Sequence, residues 1–106
     1  MPKGIYLVMS NPVSPNREAE YNDWYDNTHL AEVTAVDGFV AARRFHAIGG
    51  SPEQSYVAIY GLDAPDLAKA VADLQQKAIG GEIKISDAMQ MQPLPFVQLY
   101  ELHEGS

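Results

Sequence analysis

Apolar and polar positions alternate in two rhythms along this chain, and the change of rhythm marks its elements. Ile5-Tyr6-Leu7-Val8-Met9 is a short apolar run of strand formers, closed by Ser10-Asn11-Pro12 and Pro15. From Arg17 to about Val36 the spacing turns helical. Asn16 stands at the N-cap, Glu18 and Glu20 sit in the first turn where the helix dipole favours acids, and Asp37-Gly38 is the stop. Phe39 to Ile48 alternates as a strand, with Phe39, Ala41, Arg43 and Phe45 on one face and Val40, Ala42, Arg44 and His46 on the other. Gly49-Gly50-Ser51-Pro52 makes a turn before a third strand, Ser55 to Tyr60. Asp63-Ala64-Pro65-Asp66 opens a second helix with Asp63 as cap, Pro65 in the first turn and an acid near the third position. Leu67, Val71, Leu74 and Ala78 form its apolar stripe, and Gly80-Gly81 ends it. Glu82 to Gln92 fits either a mobile flap or a short strand. Leu94 to Leu102 is the fourth strand, its prolines Pro93 and Pro95 marking an edge or a bulge.

The order β-α-β-β-α-β is that of a ferredoxin-like α+β domain: a four-stranded antiparallel sheet with two helices on one face. Residues 1–106 form one domain, with no internal repeat and no linker. Two helices cover one sheet face only, yet large side chains occupy both faces of the strands. An apolar face of that extent is expected to meet a partner, so the chain is expected to pair sheet against sheet as a homodimer.

The first helix carries the chemistry. At about 100° per residue, Trp24, Thr28, Tyr21, Glu32, Tyr25, Val36 and His29 fall around one face. A purely structural face would be Leu, Ile, Val and Ala. Buried polar groups need partners, so these side chains either satisfy one another or line a cavity. His29 lies one turn beyond Tyr25 and three residues before Glu32, within reach of both.

Composition narrows the function classes. Hydrophobic residues make up 46% of the chain and charged residues 20%, as in an ordinary globular domain. The net charge is −7 with only seven Lys and Arg, which excludes a nucleic-acid binder. There is no cysteine, so no disulfide and no thiol nucleophile. No apolar run approaches the ~20 residues of a membrane span, and no signal peptide is visible, which gives a cytoplasmic expectation. P-loop, dinucleotide and G-x-S-x-G motifs are absent. His29, His46 and Glu32 lack the close spacing of a metal motif, and a chain this short argues against haem. No metal and no cofactor are expected.

Tyr21-Asn22-x-Trp24-Tyr25-Asp26-x-x-His29-Leu30-x-Glu32-Val33, followed by Val36-Asp37-Gly38-Phe39 and Ala42-Arg43-Arg44-Phe45, resembles the EthD-like branch of the dimeric α+β barrel superfamily. The match is close over the first helix and second strand, and elsewhere rests on element order. The resemblance implies a ferredoxin-fold dimer whose sheets pair into a barrel, with a pocket between sheet and helices. Superfamily activities range over cofactor-independent oxygenases, cyclases, isomerases, lyases and haem enzymes, so fold does not choose the chemistry. Such sequences often place Pro after the His-Leu pair, where this chain has Ala31. Without it, either the helix bends near His29 regardless, or Leu30, opposite the aromatic stripe, meets a partner subunit.

Two functional readings follow. In the first, a small enzyme acts on an aromatic or carbonyl-bearing metabolite, with His29 as general acid or base, Tyr25 donating to the oxyanion, and Glu32 orienting His29. Tyr21, Trp24, Arg43, Tyr60 and Tyr100 are the candidate ligand-binding residues, and Glu32 also stands as a partner for Arg43 or Arg44. Tyr56 shares a face with Tyr60, and Phe96 with Tyr100, though alternation does not say which face. In the second reading the same pocket binds a ligand without turnover and His29 ties helix to sheet. Met89 and Met91 would suit an adaptable lid over the pocket.

Overall fold

The computed structural model describes residues 2–105, and Met1 and Ser106 lie outside it. Four strands, β1 (Lys3–Ser10), β2 (Phe39–His46), β3 (Tyr56–Asp63) and β4 (Phe96–Glu101), form one antiparallel sheet in the order β2-β3-β1-β4. Each helical connection therefore passes over a strand, β3 in the first crossover and β1 in the second. This is the split β-α-β topology expected from the apolar pattern.

The first crossover is not one regular helix. Pro15–Arg17 forms a 3₁₀ turn, α1 spans Glu18–Trp24, a π-helical turn spans Tyr25–His29, and α2 spans Leu30–Thr34. Asn16 does not cap it: its Oδ1 accepts from Ser14 Oγ at 2.6 Å, and Arg17 occupies the cap position without a side-chain bond. The π turn answers the question raised by Ala31. The Leu30 N–H donates to the Tyr25 carbonyl, five residues back, and Leu30 packs against the core within its own chain.

The second helical crossover, α3 (Leu67–Ile79), buries Leu67, Ala70, Val71 and Leu74. Its cap is Asp66 rather than Asp63, because Asp63 still belongs to β3. The extended backbone of Asp66 brings its carboxylate to the Lys69 N–H at 3.0 Å. Gly38 joins α2 to β2 at φ 95°, where a Cβ would stand 3.0 Å from Ala64 and 3.2 Å from Ala70. Only glycine fits that turn.

The helices cover the sheet face that carries Tyr6, Ser10, Ala58 and Tyr60. Phe39 joins this face although alternation groups it with Phe45. A register shift between Phe39 and Ala41 sets Phe39 opposite Leu62, and its ring stands edge-on to Tyr6 and Tyr60. Phe45, Arg43 and Ala41 then point to the other face, with Ile5, Val57, Ile59, Phe96 and Tyr100. Phe45 and Tyr100 each remain 48% exposed there. Among the described residues, no helix is long and apolar enough to cross a membrane.

Between α3 and β4 the chain has no regular element, yet it is pinned. Val13 N–H donates to Ala88 at 2.6 Å, Gln90 N–H donates to Asn11 at 2.9 Å, and Met89 bridges Pro12. Ala88 and Met89 are buried. The segment is thus a wall of the core side of the sheet, tied to the loop after β1.

Candidate functional site

An α-helix turns about 100° per residue, so side chains four apart drift about 40° at each step. Tyr21, Tyr25, His29 and Val33 are spaced by four, yet all are buried. The π turn makes this possible: its wider i→i+5 closure takes up one additional residue and cancels the drift. Thr28, expected on the same face, is turned to solvent, and Val33 takes the inward position instead.

His29 and Tyr25 open onto a cavity of about 360 Å³ between the π turn, the sheet and α3. Tyr6, Val8, Tyr60 and Val97 form its sheet wall, and Leu74 and Ala78 its α3 wall. Ile83, Ile85, Met89 and Met91 line it from the segment before β4, where Ile85 and Met91 stand at its open side. The volume lies at the lower end of the range for small-molecule pockets, about 300–1,000 Å³.

His29 sits in a ring of aromatic faces. The Trp24 indole stacks on it at 4.5 Å and the Tyr25 ring meets it edge-on at 5.2 Å. Its Nδ1 lies 3.6 Å from Glu32 Oε1, beyond hydrogen-bond length, and neither atom has another partner among the described residues. Burial lowers the imidazole to about 4, which keeps it uncharged near neutral pH. Burial likewise pushes the Tyr25 phenol up to about 12, and raises Tyr60. The two phenols are close enough to influence each other, and the Tyr60 hydroxyl has no hydrogen-bond partner at ordinary length among the described residues.

The remaining candidates divide by location. Tyr21 is fully buried beside the cavity, sharing a 2.6 Å hydrogen bond with Ser10. Trp24 packs on His29 without lining the cavity. Arg43 and Tyr100 lie on the opposite sheet face, so they cannot serve a ligand between sheet and helices. Glu32 takes neither Arg43 nor Arg44: the side chain is partly exposed, but its Oε1 is buried without a hydrogen-bond partner among the described residues. Arg44 instead reaches across α1, donating to Asp26 at 2.8 Å and to Asn22 at 2.9 Å. Its guanidinium lies 4.2 Å from the Tyr25 ring centre, 5.0 Å from that of Tyr56 and 5.2 Å from that of Tyr21. His46 stands beside Tyr56 at the end of β2, away from His29. Among the described residues, no three His, Asp or Glu side chains gather in a metal-holding group. Tyr6, which the sequence left open between pocket and dimer face, lines the cavity, and so does Val8, which the sequence reading passed over. The signal for them was their shared parity with Ser10 on β1.

No family model matches the chain. Core atranone cluster (CAC) protein 1 of Stachybotrys chlorohalonatus (strain IBT 40285) is 36% identical over 67 residues, which is 62% of this chain and 28% of that protein. The match therefore spans little more than a quarter of that relative's length. Two solved structures align over nearly the whole chain. An EthD-like protein from Ralstonia eutropha JMP134 superposes with a TM-score of 0.62 at 15% identity, covering 100% of this chain and 97% of its own. An ethyl tert-butyl ether D (EthD) family protein from Bacillus halodurans C-125 gives 0.58 at 17% identity, covering 97% and 100%. The chain thus has the ferredoxin-like α+β fold of the EthD-like proteins.

Proposed function

We propose that this protein is a small cofactor-independent enzyme of cyclase, isomerase, lyase or oxygenase type, acting on an aromatic or carbonyl-bearing metabolite. The observation that supports this most is the convergence of His29, Tyr25 and Tyr60 on one largely apolar cavity, whose other polar lining residues are Tyr6 and Gln75. With Nδ1–H directed at Glu32, His29 offers Nε2 as a base for a C–H or O–H proton next to a carbonyl. Tyr25, held protonated by burial, donates to the oxyanion that develops. The largely apolar walls limit the water that competes for either group once a ligand fills the cavity. We propose further that the protein works as a homodimer joined through the exposed sheet face, in the cytoplasm, with a small molecule as its other partner.

A second reading, ligand binding without turnover, has its own support: the His29–Glu32 hydrogen bond is unmade, and a lowered imidazole is a weak base. Screening aromatic and carbonyl metabolites for turnover separates the two. Conversion by wild type, with loss of about 10²–10⁴-fold in His29→Ala, is the expected result. Binding by both proteins with conversion by neither would leave the second reading standing.

A further inference from the structure

The sheet face away from the helices is laid out in rows that cross all four strands. Its middle row reads Arg43, Ile59, Leu7 and Gln98 from β2 to β4. On one side of it lie Ala41, Gly61, Ile5 and Tyr100, and on the other Phe45, Val57, Met9 and Phe96. Arg43 is the one charged side chain in these rows. So little charge suits burial against a second copy, because charged residues are depleted from the cores of such interfaces.

Two copies joined by this face are related by a two-fold axis lying between the sheets. For aligned sheets with all three rows in contact, the axis runs either across the strands or along them. Across them, the middle row faces itself and sets two Arg43 guanidiniums in opposition over about 10 Å, with no acid in the rows to separate them. Along them, β2 lies over the partner's β4. Arg43 then faces Gln98 of the partner subunit, whose amide oxygen can accept from it. The small pair Ala41 and Gly61 faces Tyr100 of the partner subunit and Ile5 of the partner subunit, small against large. Charge and size both select this second arrangement.

Its consequence lies beyond the strand ends, where the loop after β2 meets the start of the other copy's β4. Ile48 stands in that loop two residues past β2 and is 94% exposed in the single chain. The Ala47 N–H donates to the Ser55 carbonyl at 2.8 Å, so the ladder holds the loop up to this residue. Leu94 stands two residues before β4 and is 70% exposed although it lines the cavity, with Met91 beside it at the open side. Ile48 is three residues past Phe45 and Leu94 two before Phe96, so their heights along the strands differ by only about 3 Å.

We propose that Ile48 of the partner subunit covers the open side of the cavity at Leu94 and Met91, so that each ligand site is completed only in the dimer. This rests on the sheet-to-sheet homodimer and on the cavity being a small-molecule site. Ile48 of the same chain cannot serve, because β2 and β4 are opposite edges of the sheet, about 14 Å apart. The free edge of β4 leaves the incoming loop a way round to the helix side. Each copy gives one Ile48 and receives one, as an isologous contact requires.

The chain has no cysteine, so introduced thiols report the contact directly. Ile48→Cys combined with Leu94→Cys, treated with a short bis-maleimide, should run as a covalent dimer, and either substitution alone as a single chain. Ile48→Asp should still scatter light as a dimer, while calorimetry shows it binding 2-acetylnaphthalene at least about tenfold more weakly than wild type, the worth of one buried aliphatic side chain. A protein that scatters as a dimer without forming the cross-link overturns the proposal and leaves the homodimer standing. A cross-link with unchanged affinity in Ile48→Asp overturns the completion of the site. A monomeric wild type removes the homodimer, and a wild type that does not bind the ketone removes the small-molecule site; either takes the proposal with it.

Discussion

His29 carries a measurable cost of burial. Its imidazole titrates at about 4 in the folded protein against 6.5 when free, so the unfolded chain takes up the proton first as pH falls. The associated stability is fully present above about pH 6.5 and drains away towards pH 4, by about 3 kcal/mol in total. Glutamine at this position keeps a polar side chain of similar reach and abolishes the titration. Urea unfolding of wild type and His29→Gln from pH 7 to pH 4.5 should show wild type losing stability more steeply. Parallel pH profiles would mean that the imidazole is more solvated than its aromatic surroundings imply. The position of Glu32 bears on the same group. A shift of less than an ångström would bring Oε1 into hydrogen-bond range of Nδ1.

The π turn is the element that makes the site. It adds one residue to a helix that would otherwise rotate Tyr21 and Val33 out of line, and Asn27 lies in it, exposed and bonded only to Asp23 among the described residues. Deleting Asn27 should restore a regular α-helix with the inward positions nearly in phase. The variant is expected to unfold within about 1 kcal/mol of wild type, since the deleted side chain is at the surface, while losing at least tenfold in ligand affinity because His29 and Tyr25 no longer present the same edges. Equal affinity in both proteins would show that the π turn does not shape the cavity. Element order was legible in the sequence because strand alternation and helix stripes are strong periodic signals, and the run around His29 already pointed to the EthD-like fold. The four-residue spacing of Tyr21, Tyr25, His29 and Val33 was there to be read, but it differs from an α-helical stripe by a single residue. The bulge that turns Phe39 inward has no glycine or proline within β2 itself to mark it; Gly61 opposite Ala41 lies on the neighbouring strand. Alternation showed that Tyr56 and Tyr60 share a face without saying which, and for that reason Arg43 and Tyr100 stood with the site residues although the sheet holds them away from it.

At the scale of the whole molecule, two surfaces of the sheet have different fates. One is filled by helices and surrounds the cavity. The other exposes Ile5, Phe45, Phe96 and Tyr100 together, more apolar surface than a lone chain would leave open. Light scattering on the native chain should give the mass of a dimer, and Phe45→Glu with Tyr100→Glu should give a monomer that keeps its cavity, because neither side chain reaches it. A monomeric wild type would remove the sheet-to-sheet pairing. The central claim is that His29 moves a proton in a largely apolar cavity. Its most direct measurement is the exchange of the methyl protons of 2-acetylnaphthalene with D₂O, followed by NMR. Wild type should accelerate the exchange, and His29→Ala should lose about 10²–10⁴-fold of that acceleration. A wild type that binds the ketone and leaves its exchange rate unchanged would contradict the claim.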